Sequence, residues 1–553
     1  MGKDVFTFIV GGRAGDGVKK AGTTAALCFT RGGRHVFQMD DYMSLIKGGH
    51  NFSVVSTATR PITSQYMKAD LVVALDKGSY DMHHKHLAEG GIIVYNSTVI
   101  QEDVEGIGIP LTEEARKYSR WQLRLGVGAV TILSAAIGMN KESLKKLIER
   151  EYPDAKNNVP YADTIHDLVY PKIGNKFQLP KRGSDKNLPI LTGNQAIALG
   201  AAAGGLDIYI AYPMTPATSI LHFLAQYGKD LGVTTVHPEN EIAVINLAIG
   251  VTVTGAKAMV GTSGGGFALM QEAFSLAGMV ESPLLCVLAS RPGPATGVPT
   301  YTGQGDLNMA LNQGHGDFPR LVASPGSIGE AFYLTAEMLG ILWRFQTPGV
   351  LLTEKHLSES TMTVDLDVER IKIAKPLMHD KGSYKRYLDT ENGVSPLLFP
   401  PSKELIKWNS YEHDELGITT EEPENIIKMV NKRHRKQEAI IDYLKSIRTV
   451  NVYGDKGPII FTYGSTTLSV LEALKAGGIN TKVVQPIYLE PLPVWELTQY
   501  KNNQIIVVEQ SSTGQFATLL KEKVGLESKA VIKRYDGRPF DPLELAAKLK
   551  EVI

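Results

Sequence analysis

One pattern restricts the fold of this chain more than any other: short apolar runs separated by stretches with helical spacing, returning three times along its length. The first series is DVFTFIV (4–10), HVFQM (35–39), DLVVAL (70–75) and GIIVY (91–95), with helix-like segments such as 17–30 between them. A second begins at Gly193, with IYIAY (208–212), TTVH (234–237), AKAMVGTS (256–263), PLLCVLAS (283–290) and GVLLTE (349–354). The third is PIIFTYGS, TKVVQPIYL and QIIVVEQS, interleaved with SVLEALKAGG and GQFATLLKEKVG. Strands that alternate with helices predict an α/β fold with mainly parallel sheets covered on both faces.

A chain of 553 residues exceeds what one hydrophobic core fills, so three such domains are expected. The predicted boundaries are 1–178, 190–375 and 449–553. The polar, Pro-bearing KRGSDKNLP lies at the first junction, and residues 376–448 form an extended meander (SPLLFPPSKE, YEHDELG) too long for a simple connection.

Charge and cysteine content exclude several roles. Lys plus Arg and Asp plus Glu both number 58, which gives no reason to expect nucleic acid or an anionic membrane as partner. Cys28 and Cys286 are the only cysteines, too few for a disulfide framework or for an iron–sulfur cluster, which takes about four thiolates. A reducing cytoplasm fits this usage. MGKDVFTFIVGG reads as a strand entering a glycine loop rather than a signal peptide, and no stretch reaches the roughly 18 apolar residues of a spanning helix.

Two glycine-containing regions stand where ligands bind in such folds. Gly11, Gly12, Gly15 and Gly17 follow the first strand and open a helix, the setting in which backbone N–H groups hold phosphate. The spacing is neither GxGxxG nor a P-loop, and two readings stand: a mononucleotide site, with Asp40 and Asp41 ending the second strand, or a tight strand–helix turn. Gly15-Asp16-Gly17 also invites comparison with the Gly-Asp-Gly start of a thiamine-diphosphate metal site. Its partner would be the solitary Asn51 inside a strand-like run, so that reading is rejected and no metal site is assigned to the chain.

The middle series is more informative, because open α/β sheets bind ligands beyond the carboxyl ends of their strands. Tyr212-Pro213-Met214-Thr215-Pro216 ends one strand, with Thr215 expected as N-cap and Pro216 as the first helical residue. The next strand leads to Glu241, at the start of an otherwise apolar helix; an exposed glutamate there would only complement the helix dipole. A third delivers Gly261-Thr262-Ser263-Gly264-Gly265-Gly266-Phe267. A fourth delivers Arg291, and a guanidinium emerging from PLLCVLAS needs a carboxylate, phosphate or carbonyl partner.

The ordered set YPMTP, ENEIAVINLAIG, GTSGGGFALMQEAF, ESPLLCVLASRPGPATGVPT and GHGD resembles the α subunit of the 2-oxoacid:ferredoxin oxidoreductases. GGRAGDGVKKAG with SLIKGGHNFSVV resembles that family's γ subunit, fused in front, and the tail resembles a transketolase C-terminal-like domain. Met214 stands for the usual Ile of YPITP, Gly265 for the Pro of TSGPGF, and Pro292-Gly293-Pro294-Ala295 for Gly-Gly-Pro-Ser.

The resemblance implies a transketolase-like domain that binds the pyrimidine of thiamine diphosphate through Pro213, Met214, Thr215 and Glu241. It implies a 2-oxoacid gripped by Arg291 with Thr300 and Thr215, and coenzyme A as acyl acceptor. It further implies a β subunit carrying the diphosphate-bound Mg²⁺ and a [4Fe–4S] cluster, electron transfer to ferredoxin, and an (αβ)₂ assembly. Gly11, Gly15, Gly17 and Lys47 are candidate contacts for coenzyme A, although a solvated strand-edge charge is the preferred reading of Lys47. Two other readings use the same residues differently: a subunit of a non-oxidative thiamine enzyme, or a nucleotide-binding regulatory subunit.

Overall fold

The computed structural model describes residues 4–43, 49–180 and 188–553. They form two compact units. The first comprises Met1–Leu191, Glu359–Asp365 and Asp541–Leu545; the second comprises Thr192–Ser358, Leu366–Phe540 and Ala546–Ile553.

The first unit is built on β1 (Val5–Arg13), β2 (His35–Asp41), β3 (His50–Ala58), β4 (Ala69–Ala74), β5 (Leu87–Asn96) and β6 (Ile107–Ile109). Two short strands, β7 (Ile190–Thr192) and β14 (Thr361–Thr363), extend one edge, giving the order β6-β5-β4-β1-β3-β2-β14-β7. Strands β1, β4, β5 and β6 run parallel, as the alternation predicts. The other half mixes directions: β3 lies antiparallel between β1 and β2. The link from β2 to β3 is shorter than the dozen or so residues that a parallel crossover needs. The hydroxyls of β3 are buried and paired, Ser56 with Thr7 (Oγ–Oγ1 3.0 Å) and Thr57 donating to the His35 carbonyl (2.7 Å).

After β1 the chain turns through Gly15 (φ 98°) and Gly17 (φ 76°) into the helix Val18–Arg31. Asp16 closes that turn by accepting the Arg13 backbone N–H at 2.8 Å. A Cβ at Gly17 would sit 3.5 Å from the Leu123 carbonyl, and one at Gly126 would lie 2.7 Å from the Gly17 carbonyl, so this turn packs directly on the helix Gln122–Ala136.

In the second unit β8 (Ile208–Ile210), β9 (Thr234–Val236), β10 (Ala258–Thr262), β11 (Leu285–Ser290), β12 (Leu321–Ala323) and β13 (Gly349–Glu354) form a parallel sheet, with β18 (Tyr488–Glu490) antiparallel at its edge. The order is β18-β12-β13-β11-β10-β8-β9. A smaller sheet, ordered β15-β17-β16-β19-β20, joins β15 (Val450–Tyr453), β16 (Ile459–Phe461), β17 (Lys482–Pro486), β19 (Ile505–Glu509) and β20 (Ser528–Lys533). One apolar cluster runs through both sheets, from Val244, Phe267 and Leu288 to Phe461, Val507 and Phe516. Burial of each such side chain contributes about 1.5–3 kcal/mol.

The polar stretch after residue 376 is ordered without regular elements until Pro423, where a 22-residue helix, Pro423–Leu444, begins. Its Lys432 and Lys436 are buried and both pair with the buried Glu281, Lys432 at 2.8 and 2.9 Å. Arg386, from the irregular part, donates to the carbonyls of Val280 and Glu281 at 3.1 Å each. Such charges read as solvated in sequence, which is why the helix escapes a pattern search. Among the described residues no helix is long and apolar enough to cross a membrane.

Candidate active site

Four neighbouring strands of the second unit, β11, β10, β8 and β9, are parallel, so the segments that follow them emerge along one sheet edge. These are the segments beginning at Arg291, Ser263, Ala211 and His237.

After β8 the chain differs from expectation. The Thr215–Pro216 peptide is cis and the helix starts at Thr218 with Ala217 as an uncapped N-cap, so Thr215 is not the cap and Pro216 is not the first helical residue. Competing hydrogen bonds account for the delay: Ala217 N–H turns back to the Met214 carbonyl (2.9 Å), and the Pro216 carbonyl accepts from Asn194 Nδ2 (2.7 Å). The Thr215 carbonyl accepts from Arg291 Nη1 at 2.8 Å. Met214 Sδ lies 3.9 Å from Thr262 Oγ1, and Pro213 is exposed.

After β9, Asn240 caps the helix Glu241–Val253 by accepting the Ala243 N–H at 3.0 Å, which presents Glu241 as its first residue. Glu241 is only 4% exposed, so it is not a solvated dipole partner. Its Oε1 is buried and has no hydrogen-bond partner. The glycine loop closes on it: a Cβ at Gly266 would lie 2.7 Å from Glu241 Oε1 and 2.1 Å from Thr262 Oγ1. Gly265, by contrast, faces open space.

Arg291 leaves the fully buried β11 and is itself half-buried. Burial lowers its pKa, and the Asp306 carboxylate acts in the opposite sense. Asp306, which the sequence reading did not single out, accepts from Ser290 Oγ at 2.6 Å. In sequence Gly305-Asp306 looks like an ordinary helix start and carries no other signal. Thr300 is buried within the loop that Arg291 opens. The structure therefore joins Thr215 to Arg291 directly and sets Glu241 against the glycine loop.

The N-terminal glycines belong to the first unit. Gly11 is a β1 residue paired with Phe52, with His50 and Ser79 packed where its Cβ would be; Gly17 heads the helix Val18–Arg31 without a side-chain cap. Lys47 lies outside the described residues.

Comparison with known proteins is decisive. A family model described as pyruvate flavodoxin/ferredoxin oxidoreductase, thiamine diphosphate-binding, matches residues 199–432, and one described as pyruvate ferredoxin/flavodoxin oxidoreductase matches residues 7–164. The 2-oxoglutarate synthase subunit KorA of Archaeoglobus fulgidus is 30% identical over 66% of this chain and 98% of its own length. The chain belongs to the 2-oxoacid:ferredoxin oxidoreductase family. The alpha subunit of 2-oxoacid:ferredoxin oxidoreductase 2 from Aeropyrum pernix is 29% identical over 99% of this chain and 97% of its own. A 2-oxoglutarate:ferredoxin oxidoreductase from Magnetococcus marinus, solved with 2-oxoglutarate, coenzyme A and succinyl-CoA bound, superposes with a TM-score of 0.90 at 29% identity, covering 99% of both chains. The shorter KorA relative accounts for 66% of this chain, and the N-terminal part has a family model of its own at residues 7–164. The chain's thiamine-diphosphate-binding region holds Glu241, the glycine loop and Arg291.

Proposed function

We propose that this chain is the subunit that activates the pyrimidine of thiamine diphosphate and grips the substrate. The enzyme oxidatively decarboxylates a 2-oxoacid with coenzyme A, giving an acyl-CoA and CO₂, and passes electrons to ferredoxin. The observation that carries this reading is Glu241 Oε1, a buried carboxylate oxygen with no partner on the edge that also presents Arg291. An orphaned buried carboxylate oxygen is costly unless something meets it, and a pyrimidine ring nitrogen that shares a proton with it is a fitting partner.

When bound, thiamine diphosphate supplies a carbon nucleophile and an electron sink for decarboxylation. The residues of this chain supply the rest. Glu241 holds or shares a proton at the pyrimidine N1′, and Gly266 leaves the room for it by having no side chain. Pro213, Met214 and Thr215 line the ring. Arg291, its Nη1 spent on the Thr215 carbonyl, keeps its remaining N–H groups for the substrate's carboxylate, a geometry suited to a planar fork. Thr300 and the Thr215 hydroxyl are neutral donors beside it.

A partner β subunit carries the Mg²⁺-diphosphate site and the [4Fe–4S] cluster in an (αβ)₂ assembly located in the cytoplasm. Two buried, free cysteines in this chain support that division. The helix that begins with Glu241 also exposes Ile242 (51%) and Leu247 (47%), with Leu269 (55%) on the neighbouring helix, apolar surface that a partner chain would cover. Gly11, Gly15 and Gly17 are proposed coenzyme A contacts, supported by the uncapped helix that Gly17 heads.

The test is Arg291→Ala in the purified complex, assayed with a 2-oxoacid panel, coenzyme A and a viologen acceptor. Removal of a charged substrate contact predicts a loss of about 10²-fold or more in kcat/KM. Unchanged turnover would refute the assignment.

A further inference from the structure

The site holds a second carboxylate that the reading above leaves without a task. Asp306 and Glu241 approach the glycine loop from different positions: a Cβ at Gly264 would lie 2.8 and 2.9 Å from the two Asp306 oxygens, and one at Gly266 would meet Glu241 at 2.7 Å. Asp306 Oδ2 is tied to Ser290, the residue before Arg291, through the serine hydroxyl at 2.6 Å. Yet the hydrogen bond of Arg291 goes to the Thr215 carbonyl, not to Asp306. The two side chains sense each other's charge: Asp306 favours the protonated guanidinium, and Arg291 favours the ionised carboxylate.

We propose that Asp306 is a positioning residue for Arg291, an internal counter-charge that competes with the substrate's carboxylate before decarboxylation and replaces it afterwards. The inference rests on the assignment of Arg291 to the substrate. When the C1–C2 bond of the 2-oxoacid breaks, the bonding pair stays on C2, and the carboxylate leaves as neutral CO₂. The guanidinium then has lost its anion in a half-buried setting, where an unbalanced charge is costly. Asp306, bonded to the residue before Arg291 and not to the guanidinium itself, offsets that charge while the free N–H groups of Arg291 stay open to the next substrate.

Burial raises the Asp306 pKa, while the Ser290 hydrogen bond and Arg291 lower it. Tyr463 also faces it, with Glu354 and Glu509 acting on that same phenol, and Glu241 stands beyond Gly266. As pH rises and Asp306 ionises, the internal anion grows and substrate binding weakens, so KM for the 2-oxoacid increases.

Asp306→Asn keeps an acceptor for Ser290 and removes the charge. In the complex with its partner subunit it is expected to lower KM by about two- to fivefold, the range for a partly screened charge, and to flatten the dependence of KM on pH. Ser290→Ala removes the bond that favours the ionised form, so the rise in KM is expected to move to higher pH. In an Arg291→Ala background, Asp306→Asn should leave KM unchanged. The proposal is overturned if Asp306→Asn retains the wild-type KM and pH profile while only lowering Tm. It is equally overturned if Ser290→Ala leaves the profile in place, or if the KM effect persists without Arg291. Full turnover by Arg291→Ala alone would instead refute the substrate assignment, which separates the two failures.

Discussion

At residue scale, the glycine loop makes opposite predictions for adjacent positions. A Cβ at Gly266 would collide with Thr262 Oγ1 at 2.1 Å and with Glu241, whereas one at Gly265 meets nothing within 4 Å. Gly266→Ala is expected to abolish most turnover by displacing Glu241, and Gly265→Ala to leave kcat within about twofold; parallel steady-state assays of the two variants check both. Glu241→Gln preserves shape and loses the carboxylate. A fall in kcat of about 10²- to 10⁴-fold is expected, with thiamine diphosphate binding, followed by circular dichroism, retained. Glu241 and Arg291 stand out in sequence as candidates because one is a charge opening an apolar helix and the other a charge leaving an apolar strand. Asp306 does not, because its meaning comes from Ser290 and Gly264, which are close to it only in space.

At the scale of elements, the helix Pro423–Leu444 is held by an unbalanced buried group. Glu281 faces Lys432 and Lys436, and Arg386 lies against its backbone. Its cations hold Glu281 ionised, while burial pulls Lys436 down to about 7. The sign follows from linkage: between about 7 and the ordinary lysine value of 10.5 the unfolded chain carries a proton that the folded chain has released. Stability contributed by this lysine therefore rises with pH through that window. Lys436→Met is expected to reduce the slope of Tm against pH on the alkaline side, measured by thermal unfolding at a series of pH values; an undiminished slope would show that the lysine is not its source. Sequence patterning reads this region as an ordered meander, because the buried face of the helix, Met429, Lys432, Arg433, Lys436, Ile440 and Leu444, has its apolar stripe interrupted by three cations.

At the scale of the molecule, the proposed division of labour predicts that the isolated chain has no 2-oxoacid oxidation activity. It should also bind no stoichiometric iron, because Cys28 and Cys286 are buried and unpaired, and burial pushes the Cys28 thiol up to about 12. Iron analysis of the purified chain, followed by reconstitution with the partner subunit and viologen reduction, checks both halves. Iron at one cluster per chain, or turnover without the partner, would contradict the division.

Local pattern alone determined that the chain is α/β, that its strands come in three series, and that charged and glycine-rich segments follow consecutive strands of the middle series. Period and composition are properties of neighbouring residues, and they survive without a fold. Tertiary structure decided the rest: the reversal of β3, the late helix start after Pro216, the burial of Glu241 and the placement of Asp306 by the glycine loop. Each depends on hydrogen bonds and close approaches between residues far apart in the chain, and these distances exist only after the sheets have formed.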